Sequence, residues 1–307
     1  MPARPLQWAW RHGGRPPAEW FVGAVDVVHG TNFVVPPTRR AARVVTVHDL
    51  TVVRFPELCD AASLAFPDLV RRAVRDGAWV HTPSRFVAGE VVEAFDADPE
   101  RVRAVHHGIA GVPALSGPVP LRLPPGTDRY ILALGTVEPR KDYPGLVRAF
   151  ELVAADRPDL ALVIVGADGW GAGALTSVLA RSPVRGRIVR AGYLAETDLA
   201  AVLSGSALLA YPSIYEGFGF PPLEAMAAGV PVVATAAGAV AEVAGDAAVL
   251  VAPGDHDALA TALADVLDNG DHRRRLVDAG RRHAATYTWE AAAAGLASLY
   301  ADAGAAR

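Results

Sequence analysis

Short apolar runs rich in Val, Ile, Leu and Ala recur along this chain, each followed by a helix-length pattern, and that alternation constrains the fold most. In the first half, strands read at residues 25–29, 44–48, 79–82 and 102–106, with helices over 67–76 and 85–95. In the second half, strands read at 130–134, 160–165, 187–191, 207–211, 230–235 and 248–251. The helices between and after them read at 143–155, 173–180, 196–203, 221–228, 256–269 and 272–286. Strands that are almost continuously apolar are buried on both faces, as in parallel sheets. Strand–helix alternation then implies βαβ units in open, doubly wound sheets.

Residues 109–126 break the pattern with Pro113, Pro118, Pro120, Pro124 and Pro125 plus Gly111 and Gly117, which reads as a linker. With 307 residues and ~100–200 residues per domain, two α/β domains follow. The expected limits are a first domain over 1–112, a linker over 113–126 and a second domain over 127–287. Residues 288–307 form a terminal helix opening at Thr288, able to cross back to the first domain.

Composition excludes several classes. A net charge of −4, from 29 basic and 33 acidic residues, gives no electrostatic reason to expect nucleic acid as a partner. Cys59 is the single cysteine, so no intrachain disulfide framework exists and a reducing, cytoplasmic setting is expected. The uncharged stretch 225–241 contains Gly229, Pro231, Thr235 and Gly238 and falls short of the ~20 apolar residues a membrane span needs. The start, 1–14, places Arg4 and Arg11 around two tryptophans without an apolar core, unlike a signal peptide. Arg71, Arg72 and Arg75 make a small basic helix face. A weak peripheral contact at the inner face of a membrane is one reading of it, and a solvated surface is the plainer one.

In open parallel sheets, ligands bind beyond the carboxyl ends of the strands. Four such places carry chemistry. The first is Gly135-Thr136-Val137-Glu138-Pro139-Arg140-Lys141, after the strand 130–134. A small-residue turn followed by adjacent cations suits a phosphate or diphosphate, although two surface cations on a solvated loop would look the same. Lys141 is the only lysine beside 28 arginines. Where nearly every positive charge is written as Arg, the surviving Lys marks a place where Arg does not fit.

The second is the loop 213–224, with Glu216, Gly217, Phe218, Gly219, Phe220, Pro221, Pro222 and Glu224. Its glycines permit close backbone approach, and the prolines open a helix whose start favours an anion. Glu216 and Glu224 can accept sugar or ribose hydroxyls, yet two glutamates at this spacing are common by chance. The third and fourth are His48-Asp49 and His29-Gly30-Thr31-Asn32, at the ends of two parallel strands, with His106-His107-Gly108 closing another. No grouping has convincing metal-ligand spacing, and neither a G-x-S-x-G elbow nor a Walker lysine motif occurs.

The runs GTVEPRKDYPGLVRAF, YPSIYEGFGFPPLEAMAAGVPVVAT and AAVLVAPGD resemble the retaining glycosyltransferases of glycosyltransferase family 4, in its mannosyltransferase-like branch. Upstream, DVVHGTNFVVPP, VVTVHDLTVVRFPE and HTPSRFVAGEV resemble the amino-terminal domain of that family, so the likeness runs from Asp26 to the end. It implies a GT-B fold: two Rossmann-like domains facing an interdomain cleft, with a nucleotide-diphosphate sugar held by the second. By position, Glu216 would hold donor-sugar hydroxyls and Glu224 the ribose. Lys141 with Arg140 would neutralise the diphosphate, beside Gly135 and Thr136. Backbone N–H groups of Gly217, Phe218, Gly219 and Phe220 would touch sugar and phosphate. Tyr193 and Leu194 would lie against the base, and His48 would approach the sugar from the other domain.

The resemblance thus implies hexose transfer with retention, mannose and GDP-mannose favoured, to a glycan, glycolipid or small-molecule acceptor, with no cofactor and no metal. A non-catalytic nucleotide-sugar-binding remnant is the alternative, and a phosphorylase or epimerase of the same fold a third. Lys141→Ala is expected to lower turnover far more than folding stability, and Glu224→Ala to weaken nucleotide binding. There are two departures from the pattern. Thr136 stands where many relatives have Arg, with Arg140 expected to supply that charge. Only about 25 residues without a strand-like run precede Asp26, where relatives open with a strand and glycine-rich loop, so either the start is misplaced or the first domain is a shortened form.

Overall fold

The structure is a computed structural model that describes residues 10, 15–59, 61, 63–111 and 119–306. The chain forms two compact units, Met1–Gly108 with Trp289–Arg307, and Ile109–Thr288.

In the first unit, β1 (Val27–Gly30), β2 (Ala42–Thr46), β3 (Trp79–Thr82) and β4 (Val102–Ala104) form a parallel sheet in that order. Successive side chains of a strand point to opposite faces. Accordingly Val45 and Val47 pack on one side with Val70, Val87, Val91 and Phe95, from the helices Phe66–Arg75 and Arg85–Phe95. Val44 packs on the other with Trp79 and with Leu299 and Ala303 of the terminal helix, Trp289–Ala305. Gly295 lets that helix come close, because a Cβ there would stand 2.7 Å from a Val105 methyl.

The strand limits differ from the sequence reading. β2 covers 42–46 rather than 44–48, because its ladder reaches back to pair Ala42 and Arg43 with Val27 and Val28. His48 therefore lies two residues past the strand. Short helices at Glu19–Val22, Thr51–Arg54 and Val240–Ala244 had no readable signal, since four or five residues carry little more than one turn of periodicity. The Arg71–Arg75 face is laced with carboxylates. Arg71 pairs with Asp68 at 2.8 Å, and Arg72 lies 3.9 Å from Asp76.

The second unit holds β5 (Arg129–Leu134), β6 (Leu160–Val165), β7 (Ile188–Gly192), β8 (Leu208–Tyr211), β9 (Val232–Thr235) and β10 (Val249–Val251). All pairs are parallel, in the order β10-β9-β8-β5-β6-β7. The chain builds outward from β5 through β7, then returns to lay β8 on the free side of β5. That reversal makes the carboxyl ends of β5 and β8 a topological switch point. Both faces of the sheet are covered. Leu132, Val163 and Leu209 belong to one core, and Ile131, Leu162, Ile164 and Leu208 to the other. Residues 113–118 of the expected linker lie outside the described residues, and Val119, Leu121 and Leu123 pack on the core of this unit.

Candidate functional site

β5 ends at Leu134, and Gly135 turns the chain at φ +141°. Its N–H donates to Val165 O at 2.9 Å, and a Cβ at Gly166 would stand 2.0 Å from Gly135 O, so the loops after β5 and β6 meet closely only through glycine. The next turn, Pro139–Lys141, is a single 3₁₀ turn closed by Asp142, whose side chain caps the helix Tyr143–Ala154 at Gly145 N, 3.0 Å away. This geometry sends Lys141 back across the end of β5. A Cβ at Gly135 would come within 3.2 Å of both Lys141 Cε and the Tyr143 hydroxyl.

β8 delivers the opposite wall. Lys141 Nζ donates to Glu216 Oε1 at 2.6 Å and to the Tyr211 hydroxyl at 3.0 Å. Ser213 Oγ donates to the same Glu216 oxygen at 2.7 Å. Arg140 donates through Nη1 to Glu216 Oε2 at 2.6 Å and to Tyr215 O at 3.3 Å, and through Nε to Glu138 at 3.0 Å. The loop itself is pinned by Ile214 N–H to Arg140 O and by Ala239 N–H to Glu216 O, both 2.8 Å, and by Thr235 Oγ1 to Ser213 O. Lys141 and Glu216 are both buried.

The ionisation of this cluster follows from burial and pairing. Burial pushes the Glu216 carboxyl up, but Lys141, Arg140 and Ser213 outweigh it and hold the group below the ordinary range. Burial, helped by Arg140, brings the Lys141 ammonium below its usual value despite Glu216. Burial opposes the Arg140 charge, and Glu216 and Glu138 more than restore it. Burial keeps the Tyr211 and Tyr143 hydroxyls protonated. Two cations thus balance two carboxylates. The ammonium has three N–H groups, and the guanidinium has five. Among the described residues one N–H of Lys141 and the Nη2 group of Arg140 have no protein acceptor. Those are the donors an incoming anion would meet.

Glu224 stands apart from this cluster. It sits half-buried in the helix Phe220–Ala227, its carboxylate has no hydrogen bond or ion pair among the described residues, and burial raises its pKa. Gly219, at φ +130°, opens that helix. Phe218 is a core residue, edge-on to Phe220 at 5.1 Å and to Tyr287 at 6.0 Å. Pro221 and Pro222 lack N–H groups, so the helix start offers an anion fewer donors than its position suggests. Thr136 lies against Gly169, and Gly217 is buried in its loop. Tyr193 is 82% exposed and Leu194 packs on the core. Both follow the edge strand β7, two strands from β5, so they are not brought to the Lys141–Glu216 cluster.

His48 belongs to the first unit. Its Nε2 lies 2.8 Å from Thr31 O, and its ring lies 6.0 Å from Phe33 and 6.1 Å from His107. His81, which the sequence reading missed, sits 5.9 Å from His29 and 6.1 Å from His107. Thr46 Oγ1 bridges His29 and His81 at 2.7 and 2.9 Å, and the Tyr300 hydroxyl meets His29 at 2.7 Å. Burial lowers His29 and brings His81 and His107 down to about 4, so these rings are neutral at pH 7. Among the described residues no cluster of His, Cys, Asp and Glu is arranged to hold a metal ion, and no helix is long and apolar enough to cross a membrane. Ser213, Tyr211, Glu138 and Tyr143 were not singled out as site residues. Their roles depend on where two loops 70 or more residues apart meet, which spacing along the chain does not report.

Two parallel-sheet units, with a buried cation–carboxylate cluster at the switch point of the second, define a GT-B glycosyltransferase fold. Solved structures share it. Sucrose-phosphate synthase from Thermosynechococcus elongatus superposes with a TM-score of 0.75 at 22% identity, over 94% of this chain and 76% of that one. Anabaena HepE in complex with UDP gives 0.71 at 18% identity, over 98% and 81%. The family model described as glycosyl transferases group 1 matches residues 122–283. The O-antigen chain mannosyltransferase B of Escherichia coli is 31% identical over 271 residues, 86% of this chain and 71% of that protein. An MMP alpha-(1->4)-mannosyltransferase of Mycolicibacterium hassiacum is 31% identical over 239 residues, 76% and 56%. The chain belongs to the glycosyl transferases group 1 family. It spans 56% to 71% of the length of the curated relatives it matches.

Proposed function

We propose that this chain transfers a hexose, with retention, from a nucleotide-diphosphate sugar to a glycan, glycolipid or small-molecule acceptor, in the manner of glycosyltransferase family 4. Mannose, from GDP-mannose, is the favoured donor sugar, in keeping with the two mannosyltransferase relatives. The observation that carries the reading is the Lys141–Arg140–Glu216 cluster at the β5–β8 switch point, with N–H donors left over on both cations. As the anomeric C–O bond breaks, negative charge gathers on the departing diphosphate. Donors already fixed in place stabilise that charge without reorganising, an effect worth ~3–4 kcal/mol per donor where it has been measured. Lys141 and Arg140 take this role, so the proposal calls for no metal and no cofactor.

In this reading Glu216 does two things. It holds the two cations in register through its two oxygens, and it positions donor-sugar hydroxyls. It is not assigned as a nucleophile, because three donors already engage its carboxylate. Glu224, without a partner among the described residues and half-withdrawn from water, takes the ribose hydroxyls. Gly135, Thr136 and the 217–220 backbone line the phosphate and sugar, Tyr193 and Leu194 take the base, and His48 serves the sugar side. A cytoplasmic setting, with peripheral contact at the inner face of a membrane where the acceptor is lipid-linked, belongs to the same proposal.

The test is mass spectrometry of products from a panel of nucleotide sugars offered with and without acceptors. A glycoside formed from GDP-mannose, at a rate cut ~100-fold or more by Lys141→Arg, supports the proposal. Tight nucleotide binding with no turnover of any donor would overturn it in favour of a non-catalytic binding protein.

A further inference from the structure

We propose that His256 is a positioning residue for Lys141, acting through Asp142. Its catalytic consequence rests on the transfer reading above, and its mechanical one on geometry alone. Asp142 follows Lys141 directly and adopts φ +43°, one of three positive values at non-glycine positions among the described residues. A left-handed residue of this kind persists only where its surroundings over-determine it. Three contacts do so. Its N–H donates to Pro139 O at 3.1 Å, its Oδ1 accepts from Gly145 N at 3.0 Å, and its Oδ2 meets His256 Nε2 at 2.8 Å.

The first is a backbone turn contact that needs no particular side chain, and the second is an ordinary helix cap, which any short polar side chain provides. The third is not required by either element. His256 comes from 114 residues away, at the first position of the helix His256–Asp268. That helix already has its own cap, Asp255, which accepts from Ala258 N at 2.9 Å. The space for the imidazole is made by Gly145, where a Cβ would stand 2.1 Å from His256 Nε2 and 2.3 Å from Asp142 Oδ2. Glycine in a helix costs ~1 kcal/mol relative to alanine, and here it admits the ring. Because Asp142 presents only acceptors, Nε2 carries the proton in this contact. The Pro139–Lys141 turn is therefore held at both ends. Glu216 holds the ammonium and guanidinium tips, and His256 holds the backbone exit through Asp142.

Lys141 is the sole lysine of the chain, which allows a direct readout. Lysine carrying an NMR-active nitrogen gives one side-chain ammonium signal in this chain. The expected result is that His256→Ala shifts and broadens this signal, and that His256→Gln, whose amide N–H can reach the same oxygen, restores it. Steady-state kinetics should show kcat reduced about tenfold in His256→Ala, nucleotide affinity within about twofold of wild type, and recovery in His256→Gln. An unchanged ammonium signal in His256→Ala overturns the proposal, as does equal disturbance in the Ala and Gln variants. If the signal responds as expected but the wild-type protein transfers no sugar, the positioning stands and the transfer reading falls.

Discussion

The ammonium of Lys141 lies 2.6 Å from the carboxylate of Glu216, in a buried contact that joins two loops 75 residues apart. The pair is not isolated, because Arg140 and Ser213 take up the rest of the carboxylate. A charge desolvated in this way is stable only while its partners remain, and breaking a buried pair from one side typically costs ~3–5 kcal/mol.

That fact changes what a Lys141 substitution tests. From sequence, loss of Lys141 is expected to lower turnover far more than folding stability. Its burial against Glu216 adds a folding cost of a few kcal/mol, at the low end of the ~3–5 range because Arg140 still pairs with the carboxylate. Lys141→Met with Glu216→Gln should regain most of that stability in denaturant titrations while leaving transfer lost. Lys141→Arg, which keeps the charge, should still lower kcat by ~100-fold or more, since a planar fork replaces a point charge in a space bounded by Gly135, Tyr143 and Tyr211. Wild-type turnover in Lys141→Arg would refute the role.

Glu224 gives the opposite sign. Burial raises its pKa, so between the unfolded value and the raised folded value the native state keeps a proton that the unfolded chain has lost. Its contribution to stability therefore declines as pH rises through that window. Glu224→Gln should melt at a higher temperature than wild type at pH 7 and at the same temperature well below pH 4. Nucleotide affinity should fall at least about tenfold in the same variant, ~1.4 kcal/mol, measured by calorimetry.

The histidines of the first unit set an acid limit. Burial holds His81 and His107 down at about 4, well below the ordinary imidazole value of 6.5. Above pH 6.5 they are neutral in both states and contribute nothing. As pH falls from 6.5 toward 4 the unfolded chain gains protons that the native rings refuse, so stability drops with falling pH. Tryptophan fluorescence, with Trp79 in this core, should report acid loss of the first unit in that window. Replacing His81 and His107 by Gln should flatten it, and an unaltered acid profile would show the rings are not responsible.

Gly238 supports Glu216 from behind. At φ +59° its Cβ would stand 2.4 Å from Glu216 O and 3.0 Å from Glu216 N. Gly238→Ala should destabilise the second unit by ~1–2 kcal/mol from the left-handed backbone alone, and more from the clash. It should also weaken nucleotide binding by moving the 213–216 loop. Equilibrium unfolding together with nucleotide titration checks both, and native behaviour in both assays would contradict the packing.

Strand and helix order was legible because burial on both faces of a parallel sheet writes itself as continuous apolar runs, as in 160–165, where every residue is buried. The ends were less legible. β2 begins at Ala42 because a neighbouring strand pairs there, and no local pattern announces a partner. Lys141, Glu216 and Arg140 could be singled out as residue types at strand ends. The tertiary structure alone decided that they face one another and that Ser213 and Tyr211 join them. It also showed that Glu224 has no ion-pair or hydrogen-bond partner among the described residues and that His256 reaches Asp142. The physical reason is the same throughout. Backbone periodicity and burial are local properties that a chain carries in its order. The field at an ionisable group is set by side chains that only the closing of the sheet brings within hydrogen-bonding distance.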